Sequence, residues 1–215
     1  MRERKISFLC GCCSSDLVRL ANDHAQFFQN FRRGIVAANQ TLQSLFHLDT
    51  RVAKAAVLIE ESLRARNKLL VCGNGGSAAD ASHFATEFVV RFTKDRPAYP
   101  AISLCGDGGL LTAAGNDYGF DEIFARQVAA FGKENDVFIC LTTSGNSKNV
   151  MRALGEAKAR KLKTIAFLGR DGGSTVGIAD VDLLVRGDST ARIQEAHKLL
   201  LHVLCEAMET RLPQE

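Results

Sequence analysis

The chain has 215 residues, 46% of them hydrophobic and 24% charged, with a formal net charge of +3. A chain of this length can bury a full core in one domain, and so small a charge argues against nucleic acid or an anionic membrane as a partner. No apolar run approaches the roughly 20 residues that a membrane span needs.

The chain opens on MRERKISFLCGCCSS. A basic lead before Leu9-Cys10-Gly11-Cys12 resembles a lipoprotein cleavage site, but the apolar stretch ahead of Cys12 is too short for a signal segment. A metal site at Cys10, Cys12 and Cys13 is a second reading. The favoured one is a disordered extension over residues 1–14. The other four of the seven cysteines, Cys72, Cys105, Cys140 and Cys205, sit singly in apolar segments. There a free thiol behaves as a small hydrophobe, which suits a reducing cytoplasm.

Residues 15–66 contain few breakers and read as helix. Leu17, Leu20, His24, Phe27, Phe28, Phe31 and Ile35 recur at helical spacing, and a second segment runs from about Val52 to Arg66. Five strand-length apolar runs follow at 68–72, 101–105, 136–141, 163–168 and 181–185. Helices are expected between them at 77–92, 120–131, 147–160 and 174–180, and a last one at 190–211. Continuous apolar strands alternating with helices predict an α/β fold, a doubly wound five-stranded parallel sheet with an N-terminal helical extension. The expected organisation is a single domain over 15–215. In such sheets ligands bind at the carboxyl ends of the strands, so the loops GNGGS, GDGGLLTAAGNDYGF, TTSGNS and GRDGGS are where chemistry is expected.

Gly73, Gly75 and Ala78 satisfy a dinucleotide-binding spacing between strand and helix. The acidic residue expected about 20 positions later has no good candidate, since the next strand at 101–105 lies further on, and no Gly-Lys-Ser/Thr follows, which argues against a dinucleotide oxidoreductase and against a Walker loop. What remains is close backbone approach and a helix start that favours an anion. The plain alternative is a tight turn with Ser77 as N-cap and Asp80 completing a capping box. TTSGNS gathers the hydroxyls of Thr142, Thr143, Ser144 and Ser147 at a strand end, which suits a terminal phosphate, with Ser147 placed to cap the next helix.

His83 and Glu87, four residues apart, share a helical face with Asp80. They could be two metal ligands or an acid-base pair, with Asp80 orienting the imidazole. An ion pair of Glu87 with Arg91 is the plain alternative. In the last helix, His202 lies in an apolar run and needs a polar partner, and Gln194 lies two turns before it.

Together CGNGGSAADASHFATEF, RPAYPAISL, GNDYGF, TTSGNS, DGG and RIQEAHKLLLH resemble the phosphoheptose isomerases of the SIS fold, also called sedoheptulose 7-phosphate isomerases, which share the flavodoxin-like strand order. The likeness runs from about residue 20 onward. It implies one zinc per subunit, held by His83, Glu87, Gln194 and His202. It implies sugar-phosphate contacts at Asn74, Gly75, Gly76, Glu87, Asn116, Asp117, Thr142, Thr143, Ser144, Ser147 and Gln194. It also implies a cytoplasmic homotetramer with active sites at subunit interfaces. Glu87 would be the base and His202 its acid-base partner in an aldose–ketose isomerisation that feeds surface-glycan synthesis. Two departures stand out: Thr142 is often Ser in the family, and Ala191 replaces an Asp that some members carry. The rival reading is a non-catalytic SIS protein that binds a sugar phosphate or a protein such as the replication initiator. Such a protein has no chemical reason to keep both Glu87 and His202.

Overall fold

The computed structural model describes residues 11–212. The chain divides into two compact units that meet in sequence at Gln40 and Thr41. The first consists of the leading part of a long helix, α1 (Gly11–Gln43). Large apolar side chains along it, including Phe27, Phe28, Phe31 and Ile35, are more than half exposed. The second unit, from Thr41 onward, holds the sheet. Residues 11–14, expected to be disordered, belong to α1; the rest of that expected extension, with Cys10, and the side chains of Cys12 and Cys13 lie outside the described residues.

The second unit continues through a 3₁₀ turn at Ser44–Leu48 into α2 (Asp49–Arg64). Then come β1 (Leu69–Gly73), α3 (Gly76–Val89), β2 (Ala101–Ser103), α4 (Gly108–Tyr118), α5 (Ala125–Phe131) and β3 (Val137–Thr142). They are followed by α6 (Lys148–Ala159), β4 (Lys163–Gly169), β5 (Val181–Val185) and α7 (Thr190–Arg211). All strand pairs are parallel, in the order β2-β1-β3-β4-β5. This is the doubly wound arrangement expected. Side chains alternate across the strands, so Leu69, Val71, Ile139, Leu141, Ile165 and Phe167 pack towards Ile59 of α2, Phe84 of α3 and Leu201 of α7. Leu70, Cys72, Phe138, Cys140, Ala166 and Leu168 pack with Val128 of α5 and Leu154 of α6 on the other face. Among the described residues the four cysteines are free. Burial pushes the Cys140 thiol up to about 12, so it stays a neutral apolar filler.

Three expectations about helices need correction. The stretch after β2, read as a loop, forms α4, because Asp107 caps it by accepting from the Leu110 N–H at 2.9 Å and Leu-Leu-Thr-Ala-Ala then propagates it. Residues 174–180, expected to be helical, hold only a 3₁₀ turn at Gly173–Thr175. Gly172, Gly173 and Gly177 all have positive φ, which no right-handed helix accommodates. The predicted helix at 120–131 is likewise a 3₁₀ turn at Phe120–Glu122 and the short α5.

Candidate active site

The strand order reverses between β1 and β3, so the loops that follow these strands flank the crevice where such sheets bind ligands. The loop after β1 is shaped by glycines. Gly75 caps α3 with φ +56 and ψ −121, which leaves Ser77 inside the helix and rules out the expected serine cap. A Cβ on Gly76 would come within 2.5 Å of Gln194 Nε2, so the Gln194 amide lies directly on this turn. Asn74 and Asn149 exchange two side-chain hydrogen bonds of 2.9 Å, tying the loop to the first turn of α6. Asn149 is buried, and nothing in the sequence set it apart.

The loop after β3 is preorganised around Thr142. Its hydroxyl lies 3.2 Å from Ser147 Oγ and 3.4 Å from Ser144 Oγ, and accepts from the Gly145 N–H at 3.2 Å. Ser147 occupies the N-cap position of α6, yet its hydroxyl caps no helical N–H, being turned towards Thr142 instead. Gly145 has φ +65 and lies against the Gly172 carbonyl, so no side chain fits there. Thr143 is half-buried in the same turn. Beside the loop a cavity of about 520 Å³ is lined by Ser144, Asn146, Arg170, Asp171, Arg186 and Asp188. The two arginines were not foreseen; Asp171 and Asp188 in the same lining balance their charge.

Helices α3 and α7 face each other across a seam. His83 Nε2 lies 3.0 Å from His202 Nε2 and 3.4 Å from Glu87 Oε1. One step along, Lys198 Nζ contacts Asp80 Oδ1 at 2.6 Å. Asp80 was expected to orient an imidazole; its ion-pair partner is Lys198 instead. The expected plain pairing of Glu87 with Arg91 does not form either, because α3 ends at Val89 and Arg91 no longer follows helical spacing. The Arg96 guanidinium covers the helix end instead, donating to the Glu87 carbonyl and, at 3.0 Å, to that of Phe88. Burial and the nearby Lys198 charge lower the His83 pKa, against the opposing pull of Glu87. Its imidazole is neutral at pH 7 and keeps a lone pair for a hydrogen or a metal.

Behind the seam, His197 is fully buried, its Nε2–H donating to the Leu168 carbonyl at 3.1 Å. Asn116 and Asp117 are exposed at the end of α4, where the Asn116 amide donates to Asp117 Oδ1 at 2.9 Å. No hydrogen bond or ion pair among the described residues joins them to the loops or to the seam. Ala191 is exposed in the first turn of α7. Among the described residues no three His, Cys, Asp or Glu side chains have the arrangement of a ready metal centre.

The SIS domain family model matches residues 35–169. A phosphoheptose isomerase from Geobacter sulfurreducens is 51% identical over 177 residues, 82% of this chain and 94% of that protein. The chain belongs to the phosphoheptose isomerase family of SIS-domain proteins. A second member, from Helicobacter pylori, is 46% identical over 83% of this chain and 93% of its own length. Among solved structures, phosphoheptose isomerase from Neisseria gonorrhoeae superposes with a TM-score of 0.81 at 39% identity, covering 86% of this chain and 99% of that one. The fold extends further: the Vibrio vulnificus NanR protein, solved with ManNAc-6P, matches with a TM-score of 0.61 at 16% identity, a likeness of fold alone. Among the described residues no helix is long and apolar enough to cross a membrane.

Proposed function

We propose that the chain interconverts sedoheptulose 7-phosphate and D-glycero-D-manno-heptose 7-phosphate, as a cytoplasmic enzyme supplying heptose for a surface glycan. The observation that carries this reading is the meeting of His83, Glu87 and His202 across the α3–α7 seam. The hydroxyl-lined loop at the end of β3 supports it, being built for a terminal phosphate. The family relationship supports the same activity.

The reaction moves one proton between C1 and C2 and another between O1 and O2. Glu87 carries the carbon-bound proton, taking it from C2 of the aldose and returning it to C1 of the ketose. His202 exchanges the oxygen-bound proton, accepting it from one oxygen and returning it to the other. Thr142, Thr143, Ser144 and Ser147 hold the phosphate, with Asn74, Gly75, Gly76 and Gln194 along the sugar. Asn116 and Asp117, exposed on α4, would contact the sugar at a subunit interface of the proposed homotetramer.

The donor chemistry at the seam fits zinc. Two imidazoles meet at Nε2 and a carboxylate lies 3.4 Å from one of them; neutral nitrogen and carboxylate oxygen are donors that zinc accepts. His83, Glu87 and His202 would hold the ion, with Gln194 reaching along α7 from Gly76. Zinc bound there would polarise the sugar oxygens at O1 and O2. The test is an NMR assay on zinc-loaded protein supplied with sedoheptulose 7-phosphate. Appearance of the aldose phosphate is expected, and no conversion by loaded, folded protein would overturn the reading.

A further inference from the structure

The seam between α3 and α7 is built as three facing pairs: Gly76 with Gln194, Asp80 with Lys198, and His83 with His202. On α7 these positions are four residues apart, so each lies about 5–6 Å from the next on one helical face. The ion pair therefore sits between Gln194 and the two imidazoles, in the middle of the donors assigned above to zinc. Asp80 is buried, with 10% of its side chain exposed, whereas Lys198 keeps 36%. A fixed ammonium flanked by cation donors is an unusual arrangement. It repels a divalent ion, and the neighbouring carboxylate offsets that repulsion.

We propose that the Asp80–Lys198 pair sets the cation affinity of the seam, Lys198 weakening it and Asp80 strengthening it, each through its charge. The inference rests on the zinc reading and deepens it. The competing account makes the pair a bolt that joins two helices. The two accounts differ in sign. A bolt is broken by losing either partner, so both losses would weaken zinc binding. A charge regulator responds oppositely to the two losses. A unit charge about one helical turn from a divalent ion, discounted for solvent at a half-open seam, changes affinity by about ten-fold.

The experiment measures zinc dissociation constants on the full chain by competition with a chromogenic chelator, with circular dichroism to check folding. Lys198→Met is expected to tighten zinc about ten-fold and Asp80→Asn to weaken it about ten-fold. Lys198→Arg, which keeps the charge, should stay within about two-fold of the parent. The double variant Asp80→Asn/Lys198→Met should also return close to it. Should Lys198→Met not fold, Lys198→Gln carries the same expectation. Weaker zinc in both neutralised variants would show a bolt and overturn the inference while leaving the zinc site standing. A parent protein that binds no zinc would overturn the site and the inference together.

Discussion

Glu87 is placed for its role by its surroundings as well as by its own helix. The Arg96 guanidinium fastens the last turn of α3 through the Glu87 and Phe88 carbonyls and stacks on Tyr99, 4.8 Å from the ring centre. This holds the Glu87 backbone still while its carboxylate faces His83. Glu87→Gln is nearly isosteric and keeps an oxygen for a cation, but it cannot accept the carbon-bound proton. It should lower kcat by about 10²–10⁴-fold while much of the zinc is retained, with metal content measured on the same sample. Activity that survives intact would remove the assigned base. Ser144 stands in a different relation to the chemistry, since the phosphate it is assigned does not change during the reaction. Ser144→Ala is therefore expected to raise KM more than it lowers kcat. Steady-state kinetics giving an unchanged KM and a collapsed kcat would move this loop from binding to chemistry.

At the scale of elements, α7 is fixed on two sides by consecutive residues. Lys198 faces α3 through Asp80, and His197 faces the sheet through the Leu168 carbonyl at the end of β4. Burial lowers the His197 pKa from 6.5 to about 4. The unfolded chain then takes up a proton that the folded chain refuses. The corresponding stability is complete above pH 6.5 and is lost as pH falls towards 4, up to about 3 kcal/mol in all. Urea midpoints of the parent should fall steeply across this window, and those of His197→Gln less steeply. Equal slopes would show that His197 is not held neutral. Little of this second row of contacts was legible in the sequence. The strands and the helix that carries His83 and Glu87 were, because continuous apolar runs and i, i+4 spacing are local signals. Asp80 and Lys198, or Asn74 and Asn149, are partners only through the fold, and no local pattern links them. The missed α4 has a similar cause: two glycines at its start hid a helix that its Asp107 cap and the following leucines and alanines sustain. In the segment after β4, glycine backbone geometry overrode an apparently helical stretch.

At the scale of the whole molecule, one feature of the chain is left without a role by the sheet domain. Helix α1 runs for 33 residues, about 50 Å, and Phe27, Phe28, Phe31 and Ile35 on it are 54–63% exposed. Several large apolar side chains exposed on one helix mark an association surface. Positions 27, 31 and 35 fall on one face, and Phe28 lies beside them. Asn116 and Asp117, exposed on α4 and hydrogen-bonded to each other, are open to the same kind of contact, with a sugar held at a subunit interface. Both observations lead to the proposed homotetramer. Replacing Phe27 and Phe31 by Glu places two charges in the middle of the apolar face, at positions where an isolated helix tolerates them. Light scattering on a sizing column should then show species smaller than the parent assembly, while circular dichroism retains the sheet domain. Specific activity should fall with association, because the site would lose what a neighbour contributes. A double variant that keeps the parent assembly would take α1 out of the interface. A dissociated variant with full activity would leave each chain holding a complete site, and Asn116 and Asp117 would lose their assigned contact.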